Sequence, residues 1–172
     1  MNSKVTHINV GNLAENCWFL ANEDTKEAVV IDPGAEPDRI CAAAEKHGWK
    51  ITAILLTHGH IDHMGACESL RTELGVKVYA LTEEEDLLLD AKKNLSVFIE
   101  RKVVTFEPDE LLRDGQELTL AGMKIQVIHT PGHTPGGCSY YVADAGCVFS
   151  GDTLFAESVG RSDFPGGSTS AL

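Results

Sequence analysis

Between residues 57 and 63 the chain reads Thr57-His58-Gly59-His60-Ile61-Asp62-His63, which packs three imidazoles and a carboxylate into one short turn. His58 and His60 occupy alternate residues. That spacing lets both rings converge on one ion, with Gly59 permitting the backbone to bend. Asp62 and His63 add a carboxylate oxygen and another imidazole, so a second divalent ion is chemically reasonable, at the roughly 3.5–4 Å separation of two-metal enzymes. A lone histidine in a loop needs no metal to explain it. Four such side chains in one turn far exceed structural need.

Two further stretches match what such a site would still lack. His129-Thr130-Pro131-Gly132-His133-Thr134-Pro135-Gly136-Gly137 is a stiff, turn-rich loop, and Ser150-Gly151-Asp152-Thr153 places an acid just beyond an apolar run. His133 can complete a three-histidine site, and Asp152 can bridge two ions through its two carboxylate oxygens. His129 fits a supporting or structural role better than a ligand role.

The elements that must position these residues are short apolar strands alternating with helical stretches. Val5 to Val10, Cys17 to Ala21 and Ala28 to Ile31 form a β-meander that ends at the turn signal Asp32-Pro33-Gly34. Pro37 to His47 carries Ile40, Cys41 and Ala44 on one helical face, and Gly48 is a suitable C-cap. Ile51 to Leu56 is a nearly continuous apolar run, as expected of a strand covered on both faces, and it feeds directly into the histidine turn. Cys67, Leu70 and Leu74 share a helical face, Val76 to Ala80 is a strand, and Glu83 to Lys93 is an acidic-headed, basic-tailed helix. The second half turns to β. Glu117 to Leu120 and Lys124 to Ile128 flank an Ala121-Gly122 turn, and Cys138 to Val142 and Cys147 to Phe149 flank Asp144-Ala145-Gly146. This mix suits one α/β domain over 1–172 in which two sheets pack together with helices outside.

At 172 residues the chain can bury a full core without metal as a mandatory staple, so a bound metal would serve chemistry more than folding. A net charge of -12 disfavours a nucleic-acid partner and favours a small-molecule substrate. The first residues lack the apolar core of a signal peptide and no run is long enough to span a bilayer, so a cytoplasmic protein with no membrane partner is expected. The odd set Cys17, Cys41, Cys67, Cys138 and Cys147 shows no C-x-x-C pairing and reads as reduced thiols.

Taken in order, T-H-G-H-I-D-H, H-T-P-G-H-T-P-G and G-D-T-L-F resemble the metallo-β-lactamase superfamily, and within it the glyoxalase II (hydroxyacylglutathione hydrolase) branch. Asn16-Cys17, Asp32-Pro33-Gly34 and Gly160-Arg161-Ser162-Asp163 extend the likeness over essentially the whole chain. The resemblance implies an αββα sandwich. It further implies His58, His60 and His133 as ligands of a first metal, Asp62 and His63 as ligands of a second, and Asp152 as the bridge. Asp32 and Arg161 would lie close by, either as orienting groups or as a turn residue and a loop anchor.

Members of the family usually continue past the equivalent of Gly166-Gly167-Ser168 through a helix and strand to a further Gly-His, whose His completes the second site. The resemblance therefore implies a C-terminally incomplete domain that lacks its last helix and strand. Truncation is favoured over a natural one-metal form or a partner-supplied element. Oligomeric state is not fixed by any of these features. The implied activity is hydrolysis of a small-molecule thioester or ester by zinc-held hydroxide, using one or two Zn2+ ions or iron or manganese in their place, with Asp62 steering the hydroxide. A helical glutathione-binding domain has no room here, so a less discriminating thioesterase is expected. The alternatives are a mononuclear iron persulfide dioxygenase and a metal-binding domain without turnover. β-Lactam cleavage is disfavoured by Gly59 and the Thr-Pro-Gly loop.

Overall fold

The computed structural model describes residues 2–172. Its first sheet has six strands in the order β1 (Ser3–Val10), β2 (Glu15–Asn22), β3 (Glu27–Ile31), β4 (Lys50–Leu55), β5 (Lys77–Leu81) and β6 (Glu110–Leu112). The first three pair antiparallel as the meander expected from the sequence, and β3 to β6 run parallel. The second sheet is antiparallel, in the order β10 (Cys147–Phe149), β9 (Cys138–Val142), β8 (Met123–His129) and β7 (Glu117–Leu120).

Strand alternation sorts the first sheet into two cores. Ala28, Val30, Ile54 and Val78 face Ile40 and Ala44 of helix α1 (Pro37–His47), while Val29, Ile31, Ala53 and Leu55 face Ile125, Val127 and Tyr140 of the second sheet. This two-sided burial explains the unbroken apolar run in β4. Helix α2 (Ile61–Met64) follows the histidine turn, and α3 (Cys67–Leu74) joins α1 on the outer face through Cys67 and Leu70. In β8, Met123, Ile125 and Val127 are buried while Lys124, Gln126 and Ile128 are exposed. The layers are thus helix, sheet and sheet, and among the described residues no helix covers the outer face of the second sheet.

One expected element breaks up. Glu83 to Lys93 does not form a single helix: after β5 comes a 3-10 turn over Thr82–Glu84, then α4 (Glu85–Leu88), and the next helix, α5 (Ser96–Ile99), starts afresh. The Asp90 carboxylate accepts from the backbone N–H groups of Lys92 and Lys93 at 2.8 and 3.2 Å, offering the chain a turn in place of helical bonds. Two short features carried no pattern strong enough to read from sequence: strand β6 and the hairpin of β11 (Leu154–Phe155) and β12 (Ser158–Val159). Among the described residues no helix is long and apolar enough to cross a membrane.

Candidate metal centre

The strand directions bring the chemistry to one rim. The parallel strands β3 and β4 end there, delivering Asp32 and the turn from Thr57 to His63. Because β2 runs antiparallel to β3, its first residue, Glu15, lies at the same end. In the second sheet β8 and β10 share a direction, so the loops bearing His133 and Asp152 leave on one side. Two bonds tie the sheets together at this rim: Cys138 N–H donates to Thr57 O at 2.9 Å and Tyr140 O–H donates to Leu56 O at 2.6 Å.

Two groups of donors face each other across the rim. In the first, ring nitrogens of His58, His60 and His133 lie within 4.8 Å of one another, and all three residues are buried. Nδ1 of His60 stands 3.0 Å from Nε2 of His133, while His133 Nδ1–H donates to the backbone carbonyl of Arg161 at 2.6 Å, which sets the ring orientation. Phe164 lies edge-on to His60, with ring centroids 5.6 Å apart.

The second group is centred on His63. Its Nδ1–H donates to Asp32 Oδ2 at 3.0 Å, and Asp32 is itself fixed by Thr57, whose backbone N–H and hydroxyl donate at 2.8 and 2.6 Å. Of the two roles open to Asp32, the structure gives it the orienting one. Nε2 of His63 faces the carboxylates of Glu15 at 3.3 Å, Asp152 at 3.3 Å and Asp62 at 3.7 Å. Asp152 spans both groups, with Oδ1 toward His63 and Oδ2 3.5 Å from Nε2 of His133.

Burial sets the electrostatics. His58 is held well below the ordinary imidazole range, first by desolvation and then by its neighbours His63, His60 and His133. His60 is lowered to about 3, chiefly by desolvation and then by His133. Burial also disfavours charge on His63, but Asp32, Asp152 and Glu15 outweigh it and raise the ring well above its usual range. Asp62 is pushed up, mainly by burial. Asp152, although burial would raise it, is lowered by the His63 ring 3.3 Å away.

The donor set fits divalent ions. Nε2 of His58, His60 and His63 and Oδ1 of Asp152 are buried without a hydrogen-bond partner, which is costly unless something else satisfies them. Imidazole nitrogens with carboxylate oxygens suit zinc, iron or manganese. All six ligand candidates read from the sequence, His58, His60, Asp62, His63, His133 and Asp152, line this rim.

Glu15 and Glu84 were not legible as site residues. Glu84 is fully buried and lies between the two histidine loops: Oε1 accepts from Gly59 N–H at 2.8 Å and Oε2 from Gly136 N–H at 2.7 Å. Burial pushes this carboxyl up, and those two backbone donors counteract it. A single acidic residue at a strand end carries no sequence signal for such a clamp. Gly59 corrects an expectation too. Its φ lies outside the left-handed region, and a Cβ there would sit 2.7 Å from a Leu88 methyl, so packing against α4 favours glycine more than bending does. The Arg161 side chain points away to Asp163 and over the Phe164 ring, leaving its carbonyl as the contributor. His129 closes its own loop, with Nε2–H donating to Pro135 O at 2.8 Å, a structural role.

The match to known families runs over residues 10–172 and falls on the metallo-beta-lactamase superfamily. The chain belongs to that superfamily. As a member it is a metal-dependent hydrolase, and its sandwich is the superfamily's. It is 38% identical to the probable metallo-hydrolase YqgX of Bacillus subtilis over 95% of this chain and 77% of that protein. It is 34% identical to hydroxyacylglutathione hydrolase GloC of Haemophilus influenzae, over 92% and 75%. Among solved structures, the BLEG-1 B3 metallo-beta-lactamase superposes with a TM-score of 0.91 at 37% identity, covering 98% of this chain and 81% of that one. TTHA1623 in a di-iron-bound form gives a TM-score of 0.84 at 36% identity, covering 96% and 81%.

Proposed function

We propose that this chain hydrolyses thioesters of the hydroxyacylglutathione type, with His58, His60 and His133 holding one metal ion, Asp62 and His63 a second, and Asp152 joining them. The observation that carries the reading is Asp152, whose two oxygens address the two donor groups separately. The likeness to GloC supports the substrate class, and the di-iron form of TTHA1623 supports iron as an alternative to zinc.

Bound metal ions supply Lewis-acid polarisation of the thioester carbonyl and lower the pKa of water from 15.7 to about 7. The chain's own residues do the rest. Asp32 fixes the ring of His63 and the Arg161 carbonyl fixes that of His133, so neither ligand has to be reoriented. Asp62, whose carboxylate faces Nε2 of His63 at 3.7 Å, steers the attacking water. A cavity of about 220 Å³ beside Glu15, walled by Trp18, Phe149, Leu154 and Phe155, receives the acyl portion. The departing thiolate is a good leaving group and needs little proton donation.

The test is hydrolysis of S-lactoylglutathione and of a simple thioester by His60→Ala and Asp152→Ala, read beside metal content. Loss of both activity and metal is expected; both unchanged would sink the assignment. Oxygen uptake with glutathione persulfide by an iron-loaded chain would replace the hydrolase with the dioxygenase. A second reading, β-lactam cleavage, is favoured by the 37% identity to BLEG-1. A chromogenic cephalosporin turned over faster than any thioester would establish it.

A further inference from the structure

We infer, on the metal-binding reading above, that Asn94 is a positioning residue for the histidine turn. It holds the peptide between His60 and Ile61, which stands between a ligand of the first donor group and those of the second, and it does so from a segment that supplies no ligand itself.

Asn94 lies in the turn between α4 and α5 and is fully buried. Every polar group it carries is engaged. Its Nδ2 donates to the carbonyls of Val104 at 2.7 Å and Leu88 at 3.3 Å, and its Oδ1 accepts from Ser96 N–H at 2.9 Å. Its backbone N–H donates to Asp90 O at 2.9 Å, and its carbonyl accepts from Ile61 N–H at 2.9 Å. The side chain thus ties together the two ends of the segment from Leu88 to Val104 while the main chain reaches the histidine turn. Between Asn94 and Ser96, Leu95 is buried with a φ of 68°, a left-handed conformation that a leucine keeps only where its surroundings over-determine it.

Ile61 opens α2, so its N–H is one that the helix itself leaves unbonded. On the other side of the same peptide, the His60 carbonyl accepts from the backbone N–H groups of His63 and Met64 at 3.0 and 3.1 Å. The peptide plane is therefore fixed at both ends, and its tilt sets how the His60 ring lies relative to Asp62 and His63. Glu84 acts two residues earlier, on Gly59 N–H at 2.8 Å. The backbone groups on either side of His60 are thus held by one segment, and Leu87 and Leu88 of that segment fill the space where a side chain on residue 59 would stand. The two holds differ in reach. Glu84 joins loops of the three-imidazole half alone, whereas a shift of the Asn94 carbonyl moves the two donor groups relative to each other.

The experiment is titration of the metal-stripped 172-residue chain with Co2+, followed by visible absorption, beside the melting temperature of the metal-free protein. Asn94→Asp keeps the size of the side chain but sets a carboxylate oxygen against the carbonyls of Leu88 and Val104. It is expected to weaken Co2+ binding by about 10–100-fold, the cost of losing a group that orients ligands from outside, and to alter the absorption bands of the Co2+ that still binds. Ser96→Ala removes the hydroxyl bonds of the same segment to Ala91 and Val104 and leaves the bonds of Asn94 in place. That variant is expected to lower the melting temperature and to keep the wild-type Co2+ affinity and spectrum. Equal losses of affinity in the two variants, or wild-type affinity and spectrum in Asn94→Asp, would overturn the role of Asn94. Should Asn94→Asp fail to fold, the Zn2+-loaded wild type decides by nuclear magnetic resonance: a scalar coupling from the Ile61 amide nitrogen to the Asn94 carbonyl carbon and slow exchange of that amide are expected, and an Ile61 amide exchanging as freely as in an unfolded chain would overturn the role as well. A wild type that binds no Co2+ would instead overturn the metal-binding reading, and this inference with it.

Discussion

The two halves of the candidate metal centre are built on opposite principles. His58, His60 and His133 are buried and offer nitrogen only, with burial disfavouring charge on His58 and His60; the His63 half is partly exposed and sets four carboxylates around one ring. The first half is assembled from two loops belonging to different sheets and stapled by Glu84, so its geometry is set before any ion arrives. The second half gathers carboxylates around His63 that a cation would balance. The difference teaches that one rim can carry a preorganised site of borderline softness beside a harder, electrostatically driven one.

The comparison breaks most sharply by removing one half at a time. His133→Ala is expected to lower thioester turnover by about 1,000-fold or more, equivalent to roughly 4 kcal/mol of lost transition-state stabilisation, and to leave one ion per chain. His63→Ala should leave the other ion, held by the three-imidazole half. If either variant releases both ions at once, the halves are not separable and the contrast fails.

A smaller effect tests the staple. Glu84→Gln keeps the size of the side chain but turns one acceptor into an N–H₂ group facing a backbone donor, at Gly59 or at Gly136. A 10–100-fold loss of affinity at the three-imidazole position is expected, with the His63 half unchanged. A purely structural role would lower the melting temperature and leave metal affinity at 25 °C as it was.

Much of the candidate centre, in both halves, was legible in the sequence, and the reason is spacing. His58, His60, Asp62 and His63 lie in one turn after an apolar strand, so their convergence needs no tertiary knowledge. His133 and Asp152 were legible because Pro-Gly-rich and Gly-Asp turns mark strand ends. Glu15 and Glu84 were not, since what places each at the rim is a partner far along the chain: His63 for the one, Gly59 and Gly136 for the other. The interrupted helix after β5 has a similar cause. Its charge pattern satisfies helical preference, but Asp90 binds the N–H groups ahead of it and starts a turn.

The gentlest discriminator is pH acting on metal-free protein, because His60 and His63, one from each half, are shifted in opposite directions. His60 has a folded-state pKa of about 3 against 6.5 for an unperturbed ring. Between those values the unfolded chain binds a proton that the folded chain refuses, so stability attributable to His60 falls as pH drops through that window. His63 is raised above 6.5, so its contribution is fully present below 6.5 and fades as pH rises through its folded value. The neighbouring carboxylates titrate as well, which is why differences between variants carry the test. Relative to wild type, His60→Ala should flatten the loss of melting temperature between pH 6.5 and 4, an effect on the order of a few kcal/mol. His63→Asn should instead flatten the decline above pH 6.5. Parallel melting curves for all three proteins across both windows would mean that the halves do not differ in charge as their geometry requires.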